Sequence, residues 1–194
     1  MVDVGRAVGE DAGIKLFLLG AAVLALTVTT AASAGADPRA MVLRTSDLPH
    51  GYAILRANTG PAPNAKAAQG NRDLLARFAT WGRVTGYRVE FTGGVKGSIG
   101  SSADLFRGTP GARGYLRWSA QVTPPRTGLR LVRRQRGPGD EAYVFEKDFG
   151  TTLFVVVEWR YRNVTAHVGA DGVGVSGALA LARVQQRRIV AALR

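Results

Sequence analysis

The chain has 194 residues, of which 46% are hydrophobic and 21% charged, and its formal net charge is +12. This length suits one domain beside a targeting segment, and the composition is that of a folded chain rather than a disordered one. Because there is no cysteine, the composition excludes disulfides, thiolate metal sites, a cysteine nucleophile and the cysteine-linked lipid of bacterial lipoproteins.

The N-terminal segment has the features of a signal peptide. Residues 16–28 form an uncharged apolar run, Lys15 precedes it, and residues 32–34 supply the small-x-small pattern of a cleavage site. We therefore expect residues 1–34 to be removed on export and residues 35–194 to form the exported domain. An uncleaved membrane anchor is the alternative, because the uncharged stretch continues to Ala36 and then has 21 residues, whereas about 20 apolar residues span a bilayer.

Hydrophobic periodicity predicts the secondary structure of the rest of the chain. Polar and apolar residues alternate over 86–92 and 152–161, as in half-buried strands, whereas Leu74, Phe78 and Trp81 recur at helical spacing. The predicted strands cover residues 51–56, 86–92, 98–107, 128–134, 141–149, 152–161 and 164–168, and the predicted helices cover residues 65–81, 109–121 and 176–193.

The ends of these elements carry turn and cap signals. Asn64 and Thr109 are expected to cap the first two helices, and Gly82 and Pro124-Pro125 are expected to end them. Short turns between consecutive strands indicate antiparallel pairing, with the helices packed on the sheet. We therefore predict an α+β fold, in which a mostly antiparallel sheet of about six to seven strands is covered by about three helices in a single domain.

One predicted hairpin brings two titratable residues together. A two-residue turn at Arg162-Asn163 would place Glu158 opposite His167 on neighbouring strands. A carboxylate beside an imidazole is the arrangement of an oriented general base, and it is equally that of a structural cross-strand pair. We favour the structural interpretation and predict no catalytic residues and no enzyme, because no motif ties a serine or threonine nucleophile to this pair.

Two other patterns predict no cofactor or metal site. Gly172 to Gly177 match the G-x-G-x-x-G spacing of dinucleotide sites, but the chain lacks the parallel strand and the acidic residue that must follow. We interpret these glycines as a connection between two elements. The two histidines, His50 and His167, and the scattered acids have no metal-ligand spacing.

A dense cluster of arginines lies near the middle of the chain. The stripe consists of Arg126, Arg130, Arg133, Arg134 and Arg136, and simple alternation along a strand would put Arg130, Arg134 and Arg136 on one face. Arginine forks match phosphates and carboxylates, so the arginine stripe is a candidate polyanion-binding site. The alternative, which we favour, is a charged strand edge that resists aggregation, since no aromatic side chains are interleaved here.

Several short segments together resemble exported proteins of unassigned function in high-GC (actinobacterial-type) bacteria. They are Ser46-Asp47-Leu48-Pro49 with Gly51-Tyr52, Gly139-Asp140-Glu141-Ala142, the run from Trp159 to Val164, and Leu181-Ala182-Arg183 with Gln186 and Arg188-Ile189. The order of elements is also similar to the PsbP-like sandwich of some envelope lipoproteins and sensor domains. The resemblance implies an exported α+β domain and assigns no role to any residue.

The sequence thus predicts an exported bacterial protein, secreted or on the outer side of the cell envelope, that binds a ligand or partner without catalysis. A groove between the sheet and the helices would take a lipid, an anionic wall component or a protein. The alternative function is polyanion binding, to nucleic acid, anionic lipid or acidic wall polymer, through the arginine stripe. A membrane contact is expected only through an uncleaved leader.

Overall fold

The computed structural model describes residues 35–135 and 138–194. The predicted signal peptide and Arg136 of the arginine stripe therefore lie outside the described residues. Within the described part, no helix has both the length and the apolar character needed to cross a membrane.

The described residues form five α-helices and eight β-strands. The helices are α1 (Pro38–Met41), α2 (Asn64–Ala68), α3 (Arg72–Trp81), α4 (Thr109–Thr127) and α5 (Gly174–Ala192). The strands are β1 (Ala53–Ile54), β2 (Gly60–Pro61), β3 (Arg83–Thr92), β4 (Ser98–Phe106), β5 (Arg130–Gln135), β6 (Glu141–Asp148), β7 (Leu153–Tyr161) and β8 (Val164–Asp171).

All eight strands belong to one sheet, in the order β1-β3-β4-β8-β7-β6-β5, and β2 also pairs with β3. Every pairing is antiparallel. The predicted α+β class and antiparallel sheet are confirmed, and the counts differ slightly from the expected six to seven strands and three helices. The additional elements are short, namely α1 and β2, or come from a break in the first long helix.

The predicted helix over residues 65–81 is two helices, α2 and α3. Gln69 and Gly70 have φ angles of 49° and 80°, which is the left-handed conformation in which helices end. The Asn71 side chain then caps α3 by accepting a hydrogen bond from the Leu74 amide at 3.0 Å. Asn64 was expected to be the cap, but it lies within α2 and its side chain bonds to the sheet instead.

The second helix ends later than predicted. It continues through Pro124 and Pro125 to Thr127, and Gly128 with a φ of 71° ends it. A proline removes the hydrogen bond to the carbonyl four residues earlier, and these prolines lie in the last turn, where little helix remains to disrupt. The cap position belongs to Gly108, so Thr109 does not cap this helix as expected.

Helices cover both faces of the sheet. In β7, Val155, Val157 and Trp159 pack with α5 in the main hydrophobic core. The alternate residues Phe154 and Val156 belong to a smaller cluster with Ala120 of α4. Because successive side chains of a strand point to opposite faces, one face of the sheet carries α1 and α5 and the other carries α4. We refer to them as the α5 face and the α4 face.

Candidate functional site

The α4 face contains a cleft of about 730 Å³ between the sheet and helices α2, α3 and α4. Its floor consists of residues from four neighbouring strands, namely Arg88, Ser102, Asp104, Glu158, Thr165 and His167. Its walls include Lys66, Leu74, Phe78, Tyr115, Trp118, Ser119, Val122, Thr123 and Arg126. The cleft is therefore polar at its base and mixed at its walls.

Four floor residues form a straight line across the sheet. Arg88 pairs with Ser102, Ser102 pairs with His167, and His167 pairs with Glu158. Directly opposed residues on antiparallel strands point to the same face, so all four side chains project into the cleft. Neighbouring strands are about 4.8 Å apart, so the line is about 14 Å long. We call these four residues the floor row.

The predicted pairing of Glu158 with His167 is confirmed, because Tyr161 pairs with Val164 across the two-residue turn. The His167 imidazole makes no hydrogen bond to any other described residue. The Glu158 carboxyl is held from the opposite side, since the Ser119 hydroxyl of α4 donates to Glu158 Oε1 at 3.1 Å. The pair therefore has the predicted register without the geometry of an oriented base.

Burial disfavours the charged form of both members of this pair. Burial lowers the pKa of His167 and the nearby Arg88 guanidinium lowers it as well, which together bring it to about 4. Burial also raises the pKa of Glu158 to about 7; the Ser119 hydrogen bond opposes this rise and the Asp104 charge adds to it. At pH 7 the imidazole is thus neutral and the carboxyl is about half protonated, so the two do not form an ion pair.

Two buried oxygen atoms of the floor have no hydrogen-bond partner among the described residues. They are Glu158 Oε2 and Thr165 Oγ1. Buried polar side-chain atoms in folded proteins are nearly always hydrogen-bonded to protein or to ordered water, and leaving one unsatisfied costs about 1–3 kcal/mol. Both residues line the cleft.

Asp104, the other acid of the cleft floor, forms an ion pair with Arg83. Arg83 Nη2 donates to Asp104 Oδ1 at 2.5 Å and to the Ala62 carbonyl at 2.9 Å, and Nη1 donates to Asn64 Oδ1 at 2.7 Å. A side chain at Gly86 would collide with this pair, because its Cβ would lie 2.1 Å from Asp104 Oδ1. Arg83 therefore anchors the segment at the start of α2 to the sheet.

Aromatic residues form the wall between α3 and α4. The Trp118 ring lies 5.5 Å from that of Trp81 and 6.1 Å from that of Tyr115, between ring centroids. The Arg126 guanidinium lies 5.9 Å from the Trp118 ring centroid, within the range of a cation–π contact. This stack provides apolar surface and a cation at the mouth of the cleft.

The arginine stripe is divided between elements. Arg126 lies in the last turn of α4, Arg130 is paired with Glu146 on the neighbouring strand, and the backbone of Arg133 and Arg134 lies in β5 at the end of the sheet. The register shifts between Leu131 and Arg133, which interrupts the strict alternation assumed for this strand. Polyanion binding at the stripe stays a prediction.

The remaining sequence candidates lie outside the cleft lining. His50 is exposed in a turn, where its carbonyl accepts a hydrogen bond from Lys96 Nζ at 3.0 Å. The segment from Gly172 to Gly177 joins β8 to α5, and β8 pairs antiparallel with both of its neighbours. Among the described residues, no group of three or more histidine and acidic side chains could hold a metal ion.

Sequence reasoning missed most of the floor. Ser102 and Asp104 alternate in β4 with the buried residues Ile99, Ala103 and Leu105, and that alternation was visible in the sequence. An alternation of polar residues normally marks a solvent-facing side of a strand. Only the placement of α4 over this side turns these residues into a cleft.

The architecture defines the class of domain: a single antiparallel sheet with a helix layer on each face and a polar cleft under one layer. No protein-family model matches the chain, and no curated protein matches its sequence.

A solved structure does match this architecture. The extracellular domain of PknH from Mycobacterium tuberculosis is similar with a TM-score of 0.55 and 12% sequence identity, over 82% of this chain and 98% of that one. At this identity the similarity shows a shared fold alone. It agrees with the expected resemblance to actinobacterial exported proteins at the level of fold, whereas the narrower likeness to PsbP-like domains has no support from a family model.

Proposed function

We propose that this protein is an exported, non-catalytic binding module and that its ligand occupies the cleft on the α4 face. The observation that carries the proposal is the floor itself, where Glu158 Oε2 and Thr165 Oγ1 are buried without partners. A cleft of about 730 Å³ is within the size range of small-molecule sites. A bound polar molecule would supply the missing hydrogen bonds.

Binding explains the floor row better than catalysis does. Ser102, His167 and Glu158 are the residue types of a hydrolase triad, but among the described residues no hydrogen bond links one of these side chains to another. An imidazole with a pKa of about 4 is also a weak general base at neutral pH. The carboxyl that would orient it is bonded to Ser119 instead.

Export is supported by two independent observations. The N-terminal sequence has an apolar run followed by a small-x-small site, and the fold is similar to that of an extracellular domain. The absence of cysteine is compatible with export, because a domain of this size buries enough surface to fold without disulfides.

A native mass spectrum of the full chain exported from a bacterial host tests the proposal. We expect the mass of residues 35–194 plus that of a retained small molecule. Val122→Trp fills the cleft from its α4 wall and should lose the retained mass. Gln121→Trp is the matched control, because its exposed side chain does not line the cleft, and it should keep that mass.

The same preparation tests the alternative function. If wild type and both variants carry no ligand and instead bind short DNA with an affinity that falls steeply with salt, the cleft is not the binding site. Loss of that binding in a protein with Arg130, Arg133 and Arg134 changed to serine would then assign the function to the arginine stripe. A full-length mass confined to membranes would mean that the leader is retained as an anchor.

A further inference from the structure

The floor row is charged at one end and neutral along the rest of its length. Arg88 is exposed and makes no hydrogen bond or ion pair with any described residue, although its charge lowers the pKa of His167. Ser102 and His167 follow, and both are uncharged at neutral pH. Glu158 at the far end is buried and protonated below about pH 7. A ligand lying along the row would therefore meet one unpaired cation and then a series of neutral donors and acceptors.

These neutral groups match hydroxyls. A hydroxyl both donates and accepts a hydrogen bond, as do a neutral imidazole, a protonated carboxyl and the Ser102 and Thr165 side chains. An apolar ligand would leave Glu158 Oε2 and Thr165 Oγ1 without partners and would retain their desolvation cost. A ligand with negative charge along its whole length would leave most of its charges without a cationic partner, because Ser102, His167 and Glu158 carry no positive charge at neutral pH.

The unpaired cation selects one anionic group. A guanidinium binds a phosphate or a carboxylate through two parallel hydrogen bonds. Arg88 makes no ion pair with an acid among the described residues, although burial raises the pKa of the nearby Asp104 and the charge of Arg88 opposes that rise. The second arginine of the floor region, Arg83, is already bonded to Asp104, Asn64 and Ala62, so it is not available. Within the floor row, Arg88 is therefore the anion position, about 14 Å from Glu158, and Lys66 and Arg126 are further cations at the walls of the cleft.

Resting on the proposed function, we infer that the cleft binds an acidic sugar, a hydroxyl-rich molecule with one phosphate or carboxylate group, whose anionic group lies at Arg88 and whose hydroxyls extend along Ser102, His167 and Glu158. The half-buried Trp118 of the wall gives the ring of such a molecule an apolar surface. Phosphate and carboxylate share the chemistry that Arg88 recognises, and the experiment separates them.

Isothermal titration of the full chain, exported from a bacterial host and freed of retained ligand by gentle denaturation and refolding, tests this inference. The probes are glucuronate, glucose 6-phosphate, glucose and inorganic phosphate. We expect at least one acidic sugar to bind roughly tenfold or more tightly than both glucose and inorganic phosphate. Tighter binding of glucuronate would identify the anionic group as a carboxylate, and tighter binding of glucose 6-phosphate would identify it as a phosphate.

Arg88→Gln should weaken binding of the acidic sugar by about tenfold to a hundredfold, the range expected for a charge-assisted hydrogen bond, and should leave glucose binding unchanged. Arg113→Gln is the matched control, because Arg113 is an exposed arginine of α4 outside the cleft. It should bind all four probes as the wild type does.

Five results would overturn the inference. Equal affinity for glucose and the acidic sugars would remove the role of charge, and equal affinity for inorganic phosphate would remove the role of the hydroxyls. An unchanged affinity in Arg88→Gln would place the anion elsewhere. If no probe binds while the native spectrum still shows a retained ligand, the acidic-sugar class is wrong and the cleft function stands; if neither is seen, both fail.

Discussion

Ser101 and Ser102 are neighbours in β4, and their surroundings show how the two faces of the sheet differ. Ser101 points to the α5 face, where its hydroxyl donates to Gln185 Oε1 at 2.8 Å and accepts from the Leu43 amide at 3.0 Å. The Ser102 hydroxyl points to the α4 face, lines the cleft and has no partner among the described residues. The serine hydroxyl on the α5 face thus has hydrogen-bond partners within the described residues, whereas the serine hydroxyl on the α4 face has none.

The same contrast holds for the larger side chains. On the α5 face, Trp159 is fully buried and its Nε1 donates to Gln186 Oε1 at 2.7 Å. On the α4 face, Trp118 is only partly buried, and Glu158 and Thr165 have unpartnered oxygens. The comparison indicates that the larger hydrophobic core lies on the α5 face, whereas the α4 face combines a smaller cluster with buried polar atoms that lack partners among the described residues.

The largest expected difference is between two tryptophans. Trp159→Ala should lower the free energy of unfolding by about 3–5 kcal/mol, as for other fully buried aromatic residues. Trp118→Ala should lower it by about 1–2 kcal/mol, because it loses mainly the aromatic contacts of a half-buried ring. Urea denaturation measures both, and an equal cost for the two variants would contradict the assignment of stability to the α5 face.

Glu158 should make the protein less stable as pH rises. Its folded pKa of about 7 lies above its ordinary value of 4.5, so its contribution to stability is complete below pH 4.5 and is lost as pH rises through 7. Glu158→Gln cannot ionise and should be more stable than wild type at pH 8 by up to about 3 kcal/mol. The difference should vanish near pH 4. Thermal denaturation across this range measures it, and a gap independent of pH would refute a protonated Glu158.

His167 should have the opposite dependence. Its folded pKa of about 4 lies below its ordinary value of 6.5, so its contribution is complete above pH 6.5 and is lost as pH falls through 4. His167→Gln should therefore gain stability relative to wild type between pH 6.5 and 4, by up to about 3 kcal/mol. The same denaturation series with this variant isolates the effect from those of the nearby Asp104 and Arg88, and a constant difference would show that the imidazole is not desolvated.

The smallest expected effect separates the two serines. Ser101→Ala removes the hydrogen bonds that the Ser101 hydroxyl makes with the Leu43 amide and with Gln185 Oε1, and should cost about 1–3 kcal/mol. Ser102→Ala removes no hydrogen bond within the described residues and should change stability by less than about 0.5 kcal/mol. Urea denaturation of the pair provides the measurement, and a larger cost for Ser102→Ala would mean that the cleft side of β4 is structural.

Most strands of the sheet could be predicted from the sequence, but few of the residues that line the cleft could. Alternation predicted β3, β4, β6, β7 and β8 closely, and the turn at Arg162-Asn163 predicted the register that pairs Glu158 with His167. Register along a hairpin is local information. The floor row also needs Arg88 and Ser102, which are aligned with that hairpin only by the pairing of β4 with β8, a contact between segments far apart in the chain.

The two errors in the predicted helices, the break between α2 and α3 and the later end of α4, have local causes in the backbone. The break at Gln69-Gly70 depends on two left-handed residues, one of which is not glycine, and such a conformation leaves little trace in hydrophobic spacing. Helix α4 can continue past Pro124 because a proline in the last turn of a helix destabilises it far less than a proline in the middle. That continuation places Arg126 at the mouth of the cleft.

The most direct test of the central claim uses the two histidines of the chain, His50 and His167, as internal reporters. Imidazole signals in an NMR titration with the tighter-binding acidic sugar should shift for His167, on the cleft floor, and stay fixed for His50, in an exposed turn outside the cleft. Shifts at His167 alone would place the ligand on the α4 face. Binding that moves His50 and leaves His167 unchanged would contradict the account.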